Sequence, residues 1–86
     1  MKKVIECDEA EGFDALLGER VTLLCANYFY TGKLLGVNET CVLLGEPSIV
    51  YETGSWDDMV WKDVQRLPTH KLYIQRAAVE AFGILK

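Results

Sequence analysis

Apolar and polar residues alternate along two neighbouring stretches in the first half of this chain. This pattern is typical of half-buried β-strands, because successive strand side chains point to opposite faces. The residues that share a face are Val21, Leu23 and Cys25 in the first stretch and Tyr30, Gly32 and Leu34 in the second. Between the stretches lies Ala26–Tyr28, where Asn27 tolerates the positive φ that a tight hairpin needs. The pattern therefore predicts an antiparallel pair of strands.

A third strand is predicted after a second turn. Residues 37–39 provide this turn around Asn38, and a strand rich in β-forming residues follows over residues 40–52. Pro47 predicts a kink or an edge position in that strand, because proline cannot donate to a ladder. Gly32 and Gly36 lie inside the second strand, where glycine usually marks a bulge or a strong bend. The three strands are expected to form a strongly curled meander.

Residues 8–18 have the pattern of a short helix. Asp8 is a candidate N-cap, apolar residues from Phe13 to Leu17 recur at helical spacing, and Gly18 is suited to end the helix. We expect this helix to cover one open end of the β-structure. Residues 1–7 alternate in character, and they are predicted either as an extra edge strand or as a loose tail.

The second half of the chain predicts a fourth strand at Lys71–Ile74, a bend at Gln75–Ala78 and a fifth strand at Val79–Leu85 that closes a small barrel. Residues 54–70 form a variable loop between the third and fourth strands. In this loop the spacing of Ser55 and Asp58 favours a short helix, whereas Met59–Trp61 would suit a strand. The predicted fold class is mainly β: an N-terminal short helix followed by a five-stranded, strongly bent antiparallel sheet, in one domain over residues 1–86.

Composition limits the classes of function. A chain of 86 residues, half of them apolar, forms one domain, and association would add useful burial to so small a core. The net charge of −4 disfavours a broad phosphate-binding surface, so any contact with nucleic acid must be local. Apolar runs are too short for a signal peptide or a membrane span, and we therefore expect a cytoplasmic protein with no membrane partner.

No catalytic constellation is recognisable in the sequence. His70 is the single histidine, and no serine or cysteine nucleophile stands beside it. The three cysteines, Cys7, Cys25 and Cys41, lack metal-binding spacing, and the last two are predicted to be free thiols within apolar strands. We therefore expect no enzyme activity, no metal and no cofactor.

Two stretches carry the spacing of a known pair of motifs. The residues of the first are Gly18, Val21, Leu23, the run Tyr30–Leu34, Val37, Asn38 and the run Cys41–Leu44. The second is Ile74–Val79. Together they resemble the two motifs of Sm and Sm-like (Lsm) proteins over residues 13–84. The resemblance implies a helix followed by five bent strands that wrap into a minimal barrel.

The resemblance also implies a homo-oligomeric ring, from pentamer to heptamer. Sm-like subunits join edge to edge, so that the fourth strand of one copy, here Leu72–Gln75, would pair with the fifth strand of the next, here Val79–Gly83. Such closure pairs edges that would otherwise be exposed. The expected interface residues are Leu72, Tyr73, Ile74, Gln75, Val79, Ala81, Phe82 and Gly83.

In the Sm-like family, RNA binds at the pore, between the turn after the second strand and the bend of the second motif. The nucleic-acid-binding residues that the resemblance implies here are Asn38, Thr40, Lys71, Gln75 and Arg76. Thr40 stands where the family usually has a side chain that stacks on the base, and Val42 replaces the asparagine that reads the uracil edge. Gln75 and Arg76 stand at the positions of the pocket arginine and the following glycine. The positive charge is therefore kept but moved by one residue.

Two functions follow from these substitutions. One is a ring that binds single-stranded RNA or DNA at its pore, in RNA processing or metabolism, weakly and with little base preference. The alternative is a structural or protein-interaction ring without a nucleic-acid ligand, which the acidic charge and the absence of the uridine-reading residues favour. Trp56 and Trp61 are more typical of residues that cover a barrel or a subunit contact than of base-stacking residues. Tyr28, near the hairpin tip, is a further aromatic candidate.

Overall fold

The computed structural model describes residues 11–86. Within that range, one short helix and six antiparallel strands follow one another along the chain. The elements are α1 Gly12–Ala15, β1 Arg20–Cys25, β2 Phe29–Val37, β3 Cys41–Glu52, β4 Asp63–Arg66, β5 Lys71–Gln75, a 3₁₀ turn Arg76–Ala78 and β6 Val79–Gly83. The predicted mainly β class, with a short helix before the first strand, is confirmed.

The long strand β3 organises the sheet. Its first half, Cys41–Gly45, pairs with β5, and its second half, Ser48–Glu52, pairs with β4. Strand β2 lies on the other side of β3, and the order continues through β1 to β6. The predicted count of five strands differs from the six observed, because β4 forms inside the segment expected to be a variable loop. Over residues 11–86 the sheet is not closed, since β6 pairs with β1 and β5 pairs with β3.

The predicted bends correspond to irregularities in the pairing of β2 with β3. The register of this pair shifts between Thr31 and Lys33, at Gly32. A Cβ atom at Gly32 would lie 2.9 Å from the carbonyl oxygen of Gly45 and 3.3 Å from the Cα of Pro47, so only glycine allows the two backbones to approach this closely. Glu46, with φ of 48°, precedes the buried Pro47 at the place where the partner of β3 changes. Pro47 therefore lies where β3 changes its pairing partner from β5 to β4.

The helix is shorter than predicted. Glu11 has extended backbone angles, φ −141° and ψ 159°, so α1 begins at Gly12, which itself has φ of +70°. The helix ends at Ala15 with Leu16 as its C-cap, so the predicted stop at Gly18 is wrong; Gly18 has φ of +86° and its N–H donates to the carbonyl of Leu34 in β2. The predicted N-cap Asp8, together with the possible strand or tail at residues 1–7, lies outside the described residues.

The core lies on the face of the sheet that the alternation predicted. Three strands contribute fully buried aliphatic side chains to it: Val21, Leu23, Leu34, Val42 and Leu44. Phe13 of α1, Cys25 of β1 and Ile74 of β5 complete the same cluster. The helix therefore packs on the sheet through Phe13, as expected for an element that covers one side of the core.

The segment between β3 and β4 contains neither the predicted short helix nor a strand at Met59–Trp61. Turns and bends run through residues 56–60. The N–H of Asp58 donates to the carbonyl of Ser55, and the hydroxyl of Ser55 accepts from the N–H of Asp57 at 3.3 Å, so the expected capping box is a local turn instead. The last strand also ends two residues earlier than predicted, at Gly83.

Candidate nucleic-acid interface

The turn after β2 is built around the side chain of Asn38. Its Oδ1 atom accepts hydrogen bonds from the N–H of Thr40 at 2.8 Å and from the N–H of Cys41 at 2.7 Å. The N–H of Asn38 in turn donates to the carbonyl of Cys41 at 3.0 Å. Asparagine favours such turns because its short side chain replaces a missing main-chain acceptor. The predicted structural role of Asn38 in this turn is confirmed.

The 3₁₀ turn after β5 is joined to the Asn38 turn by two hydrogen bonds from one residue. The N–H of Arg76 donates to the carbonyl of Thr40 at 2.8 Å, and its Nη1 atom donates to the carbonyl of Asn38 at 2.7 Å. Gln75 lies beside them because it pairs with Cys41 in the β3–β5 register. Four of the sequence-predicted residues, Asn38, Thr40, Gln75 and Arg76, are therefore neighbours at one end of β5.

The guanidinium of Arg76 also lies over an aromatic stack that the sequence pattern does not predict. Its Cζ atom is 5.1 Å from the ring centre of Phe13, and this ring is stacked on Phe82 with centroids 3.7 Å apart. Cation–π attraction and planar stacking both favour this placement of an arginine. Phe82 is one of the residues expected at a subunit contact, but its ring is 38% exposed and packs within its own chain.

Lys71 does not join this cluster. It stands at the other end of β5, opposite Gly45, and four residues along a strand separate it from Gln75 by roughly 13 Å. The Nδ1 atom of the neighbouring His70 donates to Oε1 of Glu46 at 2.9 Å, and Arg66 pairs with the same carboxylate. Lys71 thus belongs to a separate charged surface at the bend of β3.

The residues predicted for a subunit contact lie on two strands that each have one partner within residues 11–86: β5 pairs with β3, and β6 pairs with β1. Tyr73 is 68% exposed at the edge of β5, whereas the side chain of Ile74 is buried in the core. Ile74 would therefore meet a neighbouring strand only through its main chain. A mainly apolar groove of about 390 Å³ borders the same edge, lined by Cys25, Tyr30, Leu72, Ala78 and residues around them.

Tyr28 lies at the hairpin tip, where its ring makes an edge-to-face contact with Tyr51 at 5.6 Å. Both rings are about half exposed and line a shallow cavity of about 530 Å³ with Asn27 and Lys62. This cavity is distinct from the Arg76 cluster, since the two share no lining residue.

The two tryptophans meet at a third place. Trp61 is buried and Trp56 is 58% exposed, and their rings make an edge-to-face contact at 5.8 Å. The predicted covering role therefore fits Trp61. The Nζ atom of Lys86 lies 4.7 Å from the ring centre of Trp61 and 5.5 Å from that of Trp56. Sequence reasoning missed Lys86, which carries no motif of its own.

Residues 11–86 contain two free thiols and no cluster of metal-ligating side chains. No group of three or more metal-ligating side chains occurs in this range, and none of its helices is long and apolar enough to cross a membrane. Cys25 is buried and Cys41 is half-buried, and both are free thiols. Burial, reinforced by the negative charge of Glu80, raises the pKa of the Cys25 thiol above its ordinary value.

Fold and site together define a small antiparallel β-protein with a turn-bound arginine at one end of its sheet. Comparison of the chain with protein-family models, with characterised proteins and with solved structures gives no match. The functional argument therefore rests on the geometry of the chain itself.

Proposed function

We propose that this chain is a divergent Sm-like protein that assembles into a ring and binds the backbone of single-stranded RNA or DNA near the ring pore. The observation that carries the proposal is the junction of the Asn38 turn with Arg76. The two turns come from distant parts of the chain, and two hydrogen bonds from Arg76 hold them together. This is the pair of segments that the Sm-like resemblance implies for a nucleic-acid site.

The chemistry of the cluster favours the nucleic-acid backbone over its bases. Arg76 is exposed and carries five N–H donors, of which Asn38 accepts one, so donors remain for phosphate oxygens. Thr40 and Gln75 can add hydrogen bonds but no aromatic surface on which a base could stack. The net charge of −4 limits the attraction to this local cluster. We expect weak, salt-sensitive binding with little preference among bases.

The edges of β5 and β6 that have no partner within residues 11–86 support assembly into a ring. Each of β5 and β6 has a single partner within residues 11–86, and unpaired edges of this kind are liabilities unless another strand covers them. Pairing of β5 with β6 of a second copy would extend the sheet across the contact and bring Arg76 from every copy to the same ring. The apolar groove beside β5 would be covered by the same contact.

A ring without a nucleic-acid ligand is the second candidate. It is favoured by the engagement of Arg76, whose guanidinium already binds a carbonyl and packs on Phe13, as an arginine with a purely structural role would do. The acidic net charge points the same way.

Binding of labelled polyuridine and of a mixed-sequence oligonucleotide at several salt concentrations tests the nucleic-acid proposal. Arg76→Ala should weaken both equally and lower the salt slope by about one for each phosphate that Arg76 binds. Lys33→Ala, which removes an exposed charge from β2, is the matched control and should retain binding. Equal affinities of Arg76→Ala and the parent protein would remove the nucleic-acid function and leave the second candidate.

Light scattering at micromolar concentration tests the ring, and a pair of proline variants locates its contact. Successive residues of an antiparallel strand direct their N–H groups to opposite edges, so Leu72→Pro and Tyr73→Pro differ in which edge they damage. The variant that keeps the circular dichroism of the parent should fail to assemble. A parent protein that is only monomeric would overturn the ring proposal.

A further inference from the structure

The ammonium group of Lys86 is enclosed by main-chain carbonyls of the segment between β3 and β4. Its Nζ atom donates to the carbonyl of Ser55 at 2.8 Å, to that of Thr53 at 2.9 Å and to that of Val60 at 3.3 Å. A primary ammonium has three N–H donors, and here each has an acceptor. These hydrogen bonds join residues that are 26 to 33 positions apart in the chain.

Two aromatic rings complete the enclosure. The Nζ atom lies 4.7 Å from the ring centre of Trp61 and 5.5 Å from that of Trp56, and the two rings are inclined at 81° to each other. Indole faces attract cations more strongly than the other aromatic side chains do. The rings therefore add attraction for positive charge, while the three carbonyls select a compact head with three donors over a planar guanidinium or a methylated ammonium.

The backbone of the segment is shaped so that these carbonyls converge. Gly54, between two of them, has φ of +72°, which side chains rarely allow, and a Cβ atom there would lie 3.1 Å from the Cβ of Lys62. The carbonyl of Thr53 also accepts the N–H of Lys62, and the carbonyl of Ser55 also accepts the N–H of Asp58. The same turn bonds that fold the segment thus fix its acceptors in place.

We propose that the carbonyls of Thr53, Ser55 and Val60, together with Trp56 and Trp61, form a binding site for a primary alkylammonium group. Lys86 fills this site from within the chain. The segment 84–86, which follows β6, is then a strap that closes over the turns of residues 53–61. Removal of the ammonium opens the strap and leaves a site that an added alkylammonium ion can occupy.

Intrinsic fluorescence measures this directly, because the chain has two tryptophans and both belong to the site. In the full chain, Lys86→Ala should shift the emission to longer wavelength and make quenching by acrylamide more efficient. Lys33→Ala, which removes an exposed lysine from β2, is the control and should leave the emission unchanged. Circular dichroism of both variants is compared first, and Lys86→Gln serves as a second neutral variant that retains a long side chain.

Chemical rescue then separates the binding site from a general effect of charge. Addition of n-butylammonium chloride to Lys86→Ala should move the emission back towards that of the parent, with saturation in the millimolar range or weaker because the ligand is so small. Tetramethylammonium chloride at the same ionic strength should not. The parent protein should respond to neither, since its site is filled.

Three outcomes would overturn the proposal. Parent-like emission in both Lys86→Ala and Lys86→Gln would show that the strap does not form. Equal rescue by the two ammonium ions would reduce the site to an aromatic surface without the selectivity of the three carbonyls. A shifted emission that n-butylammonium does not reverse would leave Lys86 as a packing residue and remove the ligand site.

Discussion

Two places in this molecule hold a basic side chain against main-chain carbonyls and an aromatic ring, yet they leave it in different states. At the Arg76 end, the guanidinium donates to one carbonyl, that of Asn38, and lies over Phe13. At the Lys86 end, the ammonium donates to three carbonyls and lies between two indole rings. Within residues 11–86, the same kinds of contact thus use one side-chain donor of Arg76 and all three donors of the Lys86 ammonium.

The number of donors explains the difference. An ammonium with three N–H groups is saturated by three acceptors, so Lys86 has nothing left for a ligand. A guanidinium has five N–H groups in a fixed plane, and within residues 11–86 the carbonyl of Asn38 accepts one of them. A cation held by a minority of its donors is positioned for binding, whereas one that uses all of them fastens the chain. These contacts are consistent with the proposed ligand at the Arg76 end and the proposed strap at the Lys86 end.

The largest decreases in stability should follow removal of the ring of Phe13, which lies under Arg76, or that of Trp61, which lies under Lys86. Phe13 and Trp61 are both 8% exposed, so Phe13→Ala and Trp61→Ala should each lower the free energy of unfolding by about 3 kcal/mol or more. Urea denaturation measures this decrease. Met59→Ala is the control, because its side chain is 87% exposed and its removal should cost less than about 0.5 kcal/mol. If Trp61→Ala cost no more than the control, the Lys86 end would be a loose surface rather than a closed one.

A smaller effect should follow from the turn that presents the acceptor of Arg76. Asn38→Ala removes the Oδ1 atom that accepts from the N–H groups of Thr40 and Cys41, and we expect the free energy of unfolding to fall by about 1 kcal/mol because both groups are exposed to water. Glu39→Ala, in the same turn, should change stability by less than about 0.5 kcal/mol. Equal decreases in the two variants would mean that the Asn38 side chain does not hold this end together.

Much of the sheet could be predicted because its causes are local. The alternation over β1 and β2 identified the buried face, and Gly32 and Pro47 identified the bend, since glycine and proline free or restrict the backbone at their own positions. Strand β4 was missed because Asp63–Arg66 has one apolar residue, Val64, and no alternation. Its strand conformation comes from pairing with the second half of β3, from which residues 53–62 separate it in the sequence. The helix was overestimated because apolar spacing does not report the backbone angles of Glu11 and Gly12.

The same distinction applies to the sites. Asn38, Thr40, Gln75 and Arg76 were predicted as neighbours only through the resemblance to Sm-like motifs, which contain information about segments that meet in space. The Lys86 site was not predictable in this way. Its acceptors are main-chain carbonyls, which every residue carries, so the residue types of Thr53, Ser55 and Val60 give no sign of them. Only the folded backbone shows that they converge.

The smallest predicted effect is on the pH dependence of stability. It is tested by substituting Cys25 in the core and, for comparison, Cys41 at the Arg76 end. Cys25 is buried in the core, where burial and then the charge of Glu80 raise the pKa of its thiol above 9.0, whereas Cys41 is half-buried and follows the Asn38 turn. A thiol that holds its proton more tightly in the folded state leaves stability unchanged below pH 9.0, and stability falls as the pH rises above that value because the unfolded chain ionises first. Burial also raises the pKa of Tyr30 above 10.0, which adds a second decline at higher pH.

Urea midpoints measured from neutral pH to about pH 11 resolve the contribution of Cys25 from that of Tyr30. Cys25→Ala should remove the decline that begins near 9.0 and keep a smaller later one that belongs to Tyr30, since burial raises the pKa of Tyr30 most and the charge of Cys25 adds to it. Cys41→Ala should keep both, because it leaves Cys25 and Tyr30 in place. The variants are compared by the slope of the urea midpoint with pH and not by the midpoint itself, because either substitution also changes packing. Identical slopes of the urea midpoint with pH in Cys25→Ala and the parent would mean that the Cys25 thiol is as accessible to water as the Cys41 thiol. The groove beside β5, which Cys25 lines, would then be open to solvent.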